Sequence, residues 1–128
     1  MKTIALLSLL ITMGSYVVSA QVSVSQVFTE ARENPVGLDQ KQPRFSWQLA
    51  SDQRNVMQTA YELRVSTDST RLLQGDSLVW NSGQVNSDSS TYVAYAGEPL
   101  QSGQRYYWQV RITDNKGTTS AWSDPAYW

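Results

Sequence analysis

The side chains able to do chemistry in this chain are its eleven carboxylates, since it contains neither histidine nor cysteine. That absence excludes imidazole-based nucleophile triads, thiolate nucleophiles and the usual zinc sites. Carboxylates alone can still drive acid–base chemistry. Glycoside hydrolysis, for example, needs a pair of them about 5 to 10 Å apart across the scissile bond. Most of the acids here fall in loops: Glu33, Asp39, Asp52, Asp68, Asp76, Asp88, Glu98, Asp114 and Asp124. Glu62 stands on an outward face beside Arg64. None lies in an apolar run that would raise its pKa for acid catalysis. Asp114-Asn-Lys-Gly117 comes nearest to a calcium loop, but it supplies one acidic charge and reads as a hairpin turn. No glycine-rich phosphate cradle is present. The residues therefore indicate no catalytic group, no metal site and no cofactor.

The aromatic residues are the second resource, five Trp and seven Tyr, because sugars stack on exposed indole and phenol faces. Strand alternation decides which of them are free. Arg44–Leu49 puts Phe45, Trp47 and Leu49 on one side. Ala60–Ser66 puts Tyr61, Leu63 and Val65 inward, with Glu62 and Arg64 outward. Gln104–Thr113, expected to be the longest strand, sends Tyr106, Trp108, Val110 and Ile112 inward and Arg105, Tyr107, Gln109 and Arg111 outward. Trp47, Tyr61, Tyr106 and Trp108 are thus expected in the core. Trp80, in a short strand stopped by Asn81-Ser-Gly83, is the candidate sugar contact. Trp122, in Ser120-Ala-Trp-Ser123, is expected in the last strand near the arginine-bearing face. Glu62, Arg64, Arg105, Tyr107, Gln109 and Arg111 form a candidate domain-docking face, of the composition enriched at protein contacts. Tyr107 would stack between Arg105 and Arg111.

The elements that position these groups are short. Gln21–Glu30, Leu78–Trp80, Tyr92–Tyr95 and Ser120–Tyr127 complete a set of seven strand-like runs separated by turn residues. Thr70–Gln74 is long enough for one helical turn and too short to stand alone. Ahead of Tyr106 the chain reads Leu100-Gln-Ser-Gly103-Gln-Arg-Tyr106. This Leu-x-x-Gly-x-x-Tyr pattern resembles the tyrosine corner of Greek-key sandwiches, in which the phenol hydroxyl bonds back to the upstream backbone. The expected fold is all-β: a fibronectin type III or immunoglobulin-like sandwich of about seven antiparallel strands.

Residues 1–20 are expected to lie outside that fold. Lys2 gives a positive start, Ile4–Met13 is apolar apart from small polar residues and carries no charge, and Val18-Ser-Ala20 offers small residues before a cut. This is the layout of a signal peptide, too short in its apolar part for a membrane span. The expected mature domain, 21–128, keeps nine basic against eleven acidic residues, a formal charge of −2. Such a balance excludes nucleic acid as an expected partner. The destination is expected to be secreted or periplasmic.

Several segments in order resemble the N-terminal region of bacterial α-L-rhamnosidases: Glu33-Asn-Pro-Val-Gly-Leu-Asp39, Pro43-Arg-Phe-Ser-Trp47, Gln58-Thr-Ala-Tyr61-Glu-Leu-Arg-Val65, Val79-Trp-Asn-Ser-Gly83, Ser87–Tyr95, Leu100–Trp108 and Ser120–Ser123. The resemblance implies a fibronectin type III-like accessory domain of an inverting glycoside hydrolase whose carboxylates lie in a separate (α/α)-barrel. Nothing in this chain resembles that barrel. Downstream domains of the same polypeptide are the implied partners, with rhamnose-containing glycans as a further candidate ligand. The alternative is a free-standing sugar- or protein-binding module.

Overall fold

In a computed structural model, residues 22–128 are described; the expected signal peptide lies outside them. Seven strands and one helix follow in the order β1 (Ser23–Thr29), β2 (Arg44–Ala50), β3 (Gln58–Ser66), α1 (Ser69–Gln74), β4 (Trp80–Asn81), β5 (Val93–Ala94), β6 (Tyr107–Asp114) and β7 (Ala126–Tyr127). They form two antiparallel sheets, β1-β2-β5 and β4-β3-β6-β7. This is the expected all-β sandwich of the immunoglobulin-like type.

The alternation of apolar residues sets the register. Val27 faces Trp47 across β1 and β2. Leu63 faces Val110 and Val65 faces Trp108 across β3 and β6. A slip of one residue would move each of these sets to the opposite face. Phe45, Leu63, Val65, Trp108, Val110 and Ile112 are fully buried, joined by Trp47, Tyr95 and Tyr106. At the centre the rings of Phe45 and Trp108 lie 4.5 Å apart, one from each sheet. The indole N–H of Trp108 donates to Thr29 Oγ1 at 3.0 Å, so a polar bond also crosses the core. Tyr61 is only half-buried, yet its ring meets Trp47 edge-on at 5.2 Å.

A second buried polar link was not visible in the alternation. Trp47 Nε1 donates to Gln58 Oε1 at 2.8 Å, and Gln58 Nε2 donates to the carbonyls of Ser87 and Ser89. Gln58 thereby fixes the strandless stretch between β4 and β5 against the core. The amide of Trp47 also donates to Ser90 O at 2.9 Å, so the same stretch is bonded to β2 as well.

Most strand ends shift by one to three residues from the sequence expectation, and three differences have a clear physical cause. β6 starts at Tyr107 rather than Gln104, which leaves β3, with nine residues, as the longest strand. The cause is the corner. Gln101 N–H donates to Tyr106 Oη at 2.7 Å, and Gly103 takes φ +76° in the turn between them. Only glycine adopts that backbone region without steric cost. Residues 104 and 105 lie between this turn and the strand, and the backbone of Tyr106 pairs with that of Trp128. Second, the last strand is Ala126–Tyr127 instead of Ser120–Tyr127. Ser120 and Ser123 meet β6 partly through their hydroxyls, and Pro125 has no N–H to give. Third, a helix does form at Ser69–Gln74. Asp68 caps it by accepting Arg71 N–H, Gly75 ends it in the left-handed conformation, and Leu72 is fully buried. Packing supplies what so short a helix lacks by itself.

The tyrosine corner yields a direct prediction. Tyr106→Phe keeps the ring, stacked 5.3 Å from Trp128, and removes only the acceptor for Gln101 N–H. The expected loss is about 1 kcal/mol, seen as a fall of about 5 °C in the unfolding temperature. An unchanged melting curve would mean that the hydroxyl does not pin the crossing.

Candidate functional site

β3 and β6 pair with Glu62 opposite Arg111, Arg64 opposite Gln109 and Ser66 opposite Tyr107. The outward residues of the two strands therefore alternate into one face, the face proposed for docking from the sequence. The structure brings these groups together, but it also covers their centre. Arg64 retains 9% of its accessible surface and Gln109 2%.

The cover is Trp122, and two serines put it there. Ser120 N donates to Ile112 O and Ser123 N to Val110 O, both at 2.8 Å. In return, Ile112 N donates to Ser120 Oγ at 3.0 Å and Val110 N to Ser123 Oγ at 3.1 Å. The hydroxyls stand where strand carbonyls would, so the segment tracks β6 without being a regular strand. It holds Trp122 over the outer face. The Arg64 guanidinium sits 4.0 Å from the indole centroid and that of Arg111 4.5 Å. Trp122 is thus the centre of the cation–π arrangement. Tyr107 does not fill that role: its ring meets Tyr127 edge-on, and Arg105 lies over Tyr127 at 4.5 Å.

Each charge in this stack has a partner. Arg111 donates Nε and Nη2 to Glu62 Oε1 at 2.9 and 2.6 Å. Arg64 donates Nε and Nη2 to Gln109 Oε1 at 3.1 and 2.9 Å, and Nη2 also to the carbonyl of Leu73 in α1 at 3.2 Å. Gln109 passes the bond on, donating Nε2 to Ser123 O at 2.8 Å. Burial, with the nearby charge of Arg111 and against the opposing pull of Glu62, lowers the pKa of Arg64 from its ordinary value. Arginine nonetheless stays charged. The centre of the face is a closed structural network. Arg105 is its exposed member; Tyr107, Glu62 and Arg111 are half-covered.

The carboxylates are likewise engaged or apart. Glu30 binds Arg44 through both oxygens, with Nη2 to Oε2 at 2.8 Å, and also accepts the Arg44 backbone N–H. Hydrogen bonding to Arg44 outweighs burial and holds the Glu30 pKa below 4.5. Asp114 accepts the amides of Lys116 and Thr118 in its own hairpin, at 2.9 Å each, so that carboxylate serves the turn. Among the described residues no group of three or more His, Cys, Asp or Glu side chains could hold a metal ion. Trp80, the candidate sugar contact, is half-buried. Its ring meets Tyr95 edge-on at 5.0 Å and stacks 6.5 Å from Phe45. Gly97 lies so close that a Cβ there would sit 2.7 Å from the Trp80 side chain. Much of the indole is thereby used in packing.

A family model described as Rha78A-like, N-terminal immunoglobulin domain, matches residues 24–128. An α-L-rhamnosidase of Streptomyces avermitilis is 43% identical over 105 residues, covering 82% of this chain and 10% of that protein. One from Formosa agariphila is 35% identical over 102 residues, 80% of this chain and 11% of its own length. Among solved structures, the S. avermitilis enzyme in complex with L-rhamnose superposes with a TM-score of 0.80 at 41% identity, over 84% of this chain and 10% of that one. The α-L-rhamnosidase of Dictyoglumus thermophilum gives 0.78 at 33% identity, over 82% of this chain and 12% of that one. The chain spans about a tenth of the length of the curated relatives it matches. Among the described residues no helix is long and apolar enough to cross a membrane.

Two substitutions test this network and its charges. Trp122→Ala removes both cation–π contacts and the indole's apolar cover of the arginines; the expected loss is about 2 kcal/mol, and Trp122→Phe should restore part of it. Equal urea midpoints for wild type and Trp122→Ala would show that the cover carries no stability. Glu30→Gln tests the ion pair. Because folding lowers the Glu30 pKa, its contribution is present above pH 4.5 and fades as pH falls through the folded-state value. The variant should be less stable at pH 7 by on the order of 0.5 kcal/mol, and the two curves should converge in acid. A constant difference at every pH would contradict the assignment.

Proposed function

The chain belongs to the Rha78A-like N-terminal immunoglobulin domain family, and on that premise we propose that it is a non-catalytic accessory domain of a secreted α-L-rhamnosidase, supporting and orienting a catalytic domain elsewhere in the parent polypeptide. The observation that carries this reading is one of proportion. The family match takes in nearly the whole sandwich, yet the relatives called α-L-rhamnosidases are about ten times as long. The chemistry of the chain agrees. Hydrolysis with inversion needs two carboxyl groups about 6.5–9.5 Å apart with room for a water between them. Here Glu30 and Glu62 are bound to arginines, and Asp68 and Asp114 to backbone amides. The substrate class is then an α-L-rhamnoside, acted on by the parent protein.

Met1–Ala20 serves in this reading as a cleaved signal peptide, and the site of action is the periplasm or the medium. The alternative of a free-standing sugar-binding module draws less support, because Trp80 spends much of its ring on Tyr95 and Phe45.

The test uses two proteins. This chain should release nothing from an aryl α-L-rhamnoside, whereas the full-length polypeptide should cleave it. Removing residues 22–128 from the full-length protein should lower its unfolding temperature by several degrees. Hydrolysis by the 128-residue chain alone would overturn the non-catalytic reading. A full-length protein indifferent to the deletion in both stability and activity would overturn the supporting role.

A further inference from the structure

We propose that the cleft at the β7 end of the sandwich is the seat of the next domain of the parent polypeptide, an inference that rests on the accessory-domain reading. The cleft, of about 570 Å³, opens between the loop Pro35–Lys41 and the corner Pro99–Tyr106, with Trp128 in its wall.

Its position is the first argument. Trp128 pairs with Tyr106 in both directions, N to O at 3.1 Å each. The matched segment is about a tenth of the relatives' length, and the matched family is an N-terminal domain. The remainder of such a protein continues from this end of the sandwich, next to this cleft. A contact formed here closes only a short loop, which keeps its entropic cost small.

The construction of the cleft is the second. Asn34 Oδ1 accepts the Tyr127 N–H at 3.0 Å and clamps the loop to β7. Asn34 takes φ +42° and Gly37 φ +73°, on either side of buried Pro35. This fixed loop lifts Val36 into solvent, where 81% of its surface is exposed, the largest value among the exposed large apolar residues. Asparagine is the side chain best suited after glycine to a left-handed turn, so the loop holds an apolar group in water at a fixed position. A partner covering Val36 would remove that exposure.

The third is chemistry. The lining combines apolar Val36, Leu38 and Pro99 with the charged Lys41, Arg105 and Asp39. Arg105 is steadied over the Tyr127 ring. Apolar groups mixed with charged ones, arginine among them, suit a protein contact. The partner that fits is an apolar patch with acidic residues at its border. The outer face of β3 and β6, the competing surface, already has Trp122 over its centre.

Amide hydrogen exchange compares the two molecules. In the full-length polypeptide, Val36–Gln40 and Gln101–Gln104 should exchange roughly tenfold more slowly than in this chain. Val36→Asp should abolish that slowing in the full-length protein while leaving the unfolding temperature of this chain unchanged. Equal exchange at both loops would overturn the cleft assignment. If slowing appeared at Phe28 and Tyr92 instead, docking would hold but the seat would be the smaller sheet. With no slowing anywhere, the accessory reading would fall as well.

Discussion

The fold turns on Trp108. It is a bulky, fully buried side chain that carries one obligatory donor, and a buried indole N–H without an acceptor would be costly. The acceptor is Thr29 Oγ1, at the end of β1 in the opposite sheet. That one bond ties the end of β1 to β6 across the core, one sheet to the other. Phe45 then packs at a tilt against Trp108, 4.5 Å between ring centroids, and closes the centre. Trp47 repeats the device near the other end through Gln58. Apolar burial holds the sheets together, and these two indole bonds specify how they align.

Hydroxyl groups do a comparable job at the edges. Three serines of flanking segments stand in for strand carbonyls: Ser82 takes Leu63 N–H beside β4, and Ser120 and Ser123 take β6 amides. Short flanking segments thus satisfy long central strands without being strands themselves. An edge finished this way offers no continuous row of free backbone groups to another chain. The same substitution places Trp122 above Arg64 and Arg111. The surface that alternation marks as open is therefore closed by a residue outside the paired strands.

That closure redirects the functional reading. A face whose arginines already bind Glu62, Gln109 and Trp122 has little left to give a partner. The loop that lifts Val36 and the corner around Tyr106 remain available at the end of the sandwich. Structural work is thus concentrated on the sheet faces, and the β7 end is the seat proposed for the rest of a larger protein. Neither region gathers carboxylates in a way that would break a glycosidic bond.

The sequence by itself determined the sandwich, the core aromatics and the corner. Phe45, Trp47, Trp108 and Val110 are legible because a pleated strand alternates with period two. Leu100, Gly103 and Tyr106 are legible because a positive-φ turn and a phenol must sit at fixed spacing. The absence of histidine and cysteine was enough to exclude whole classes of chemistry. Tertiary structure alone decided the fate of Arg64, Gln109 and Tyr107, and it alone revealed Gln58 and Thr29 as partners of buried indoles. Those outcomes depend on side chains far apart in the chain meeting in space. Alternation says which way a residue points; only the packed fold says what already lies there.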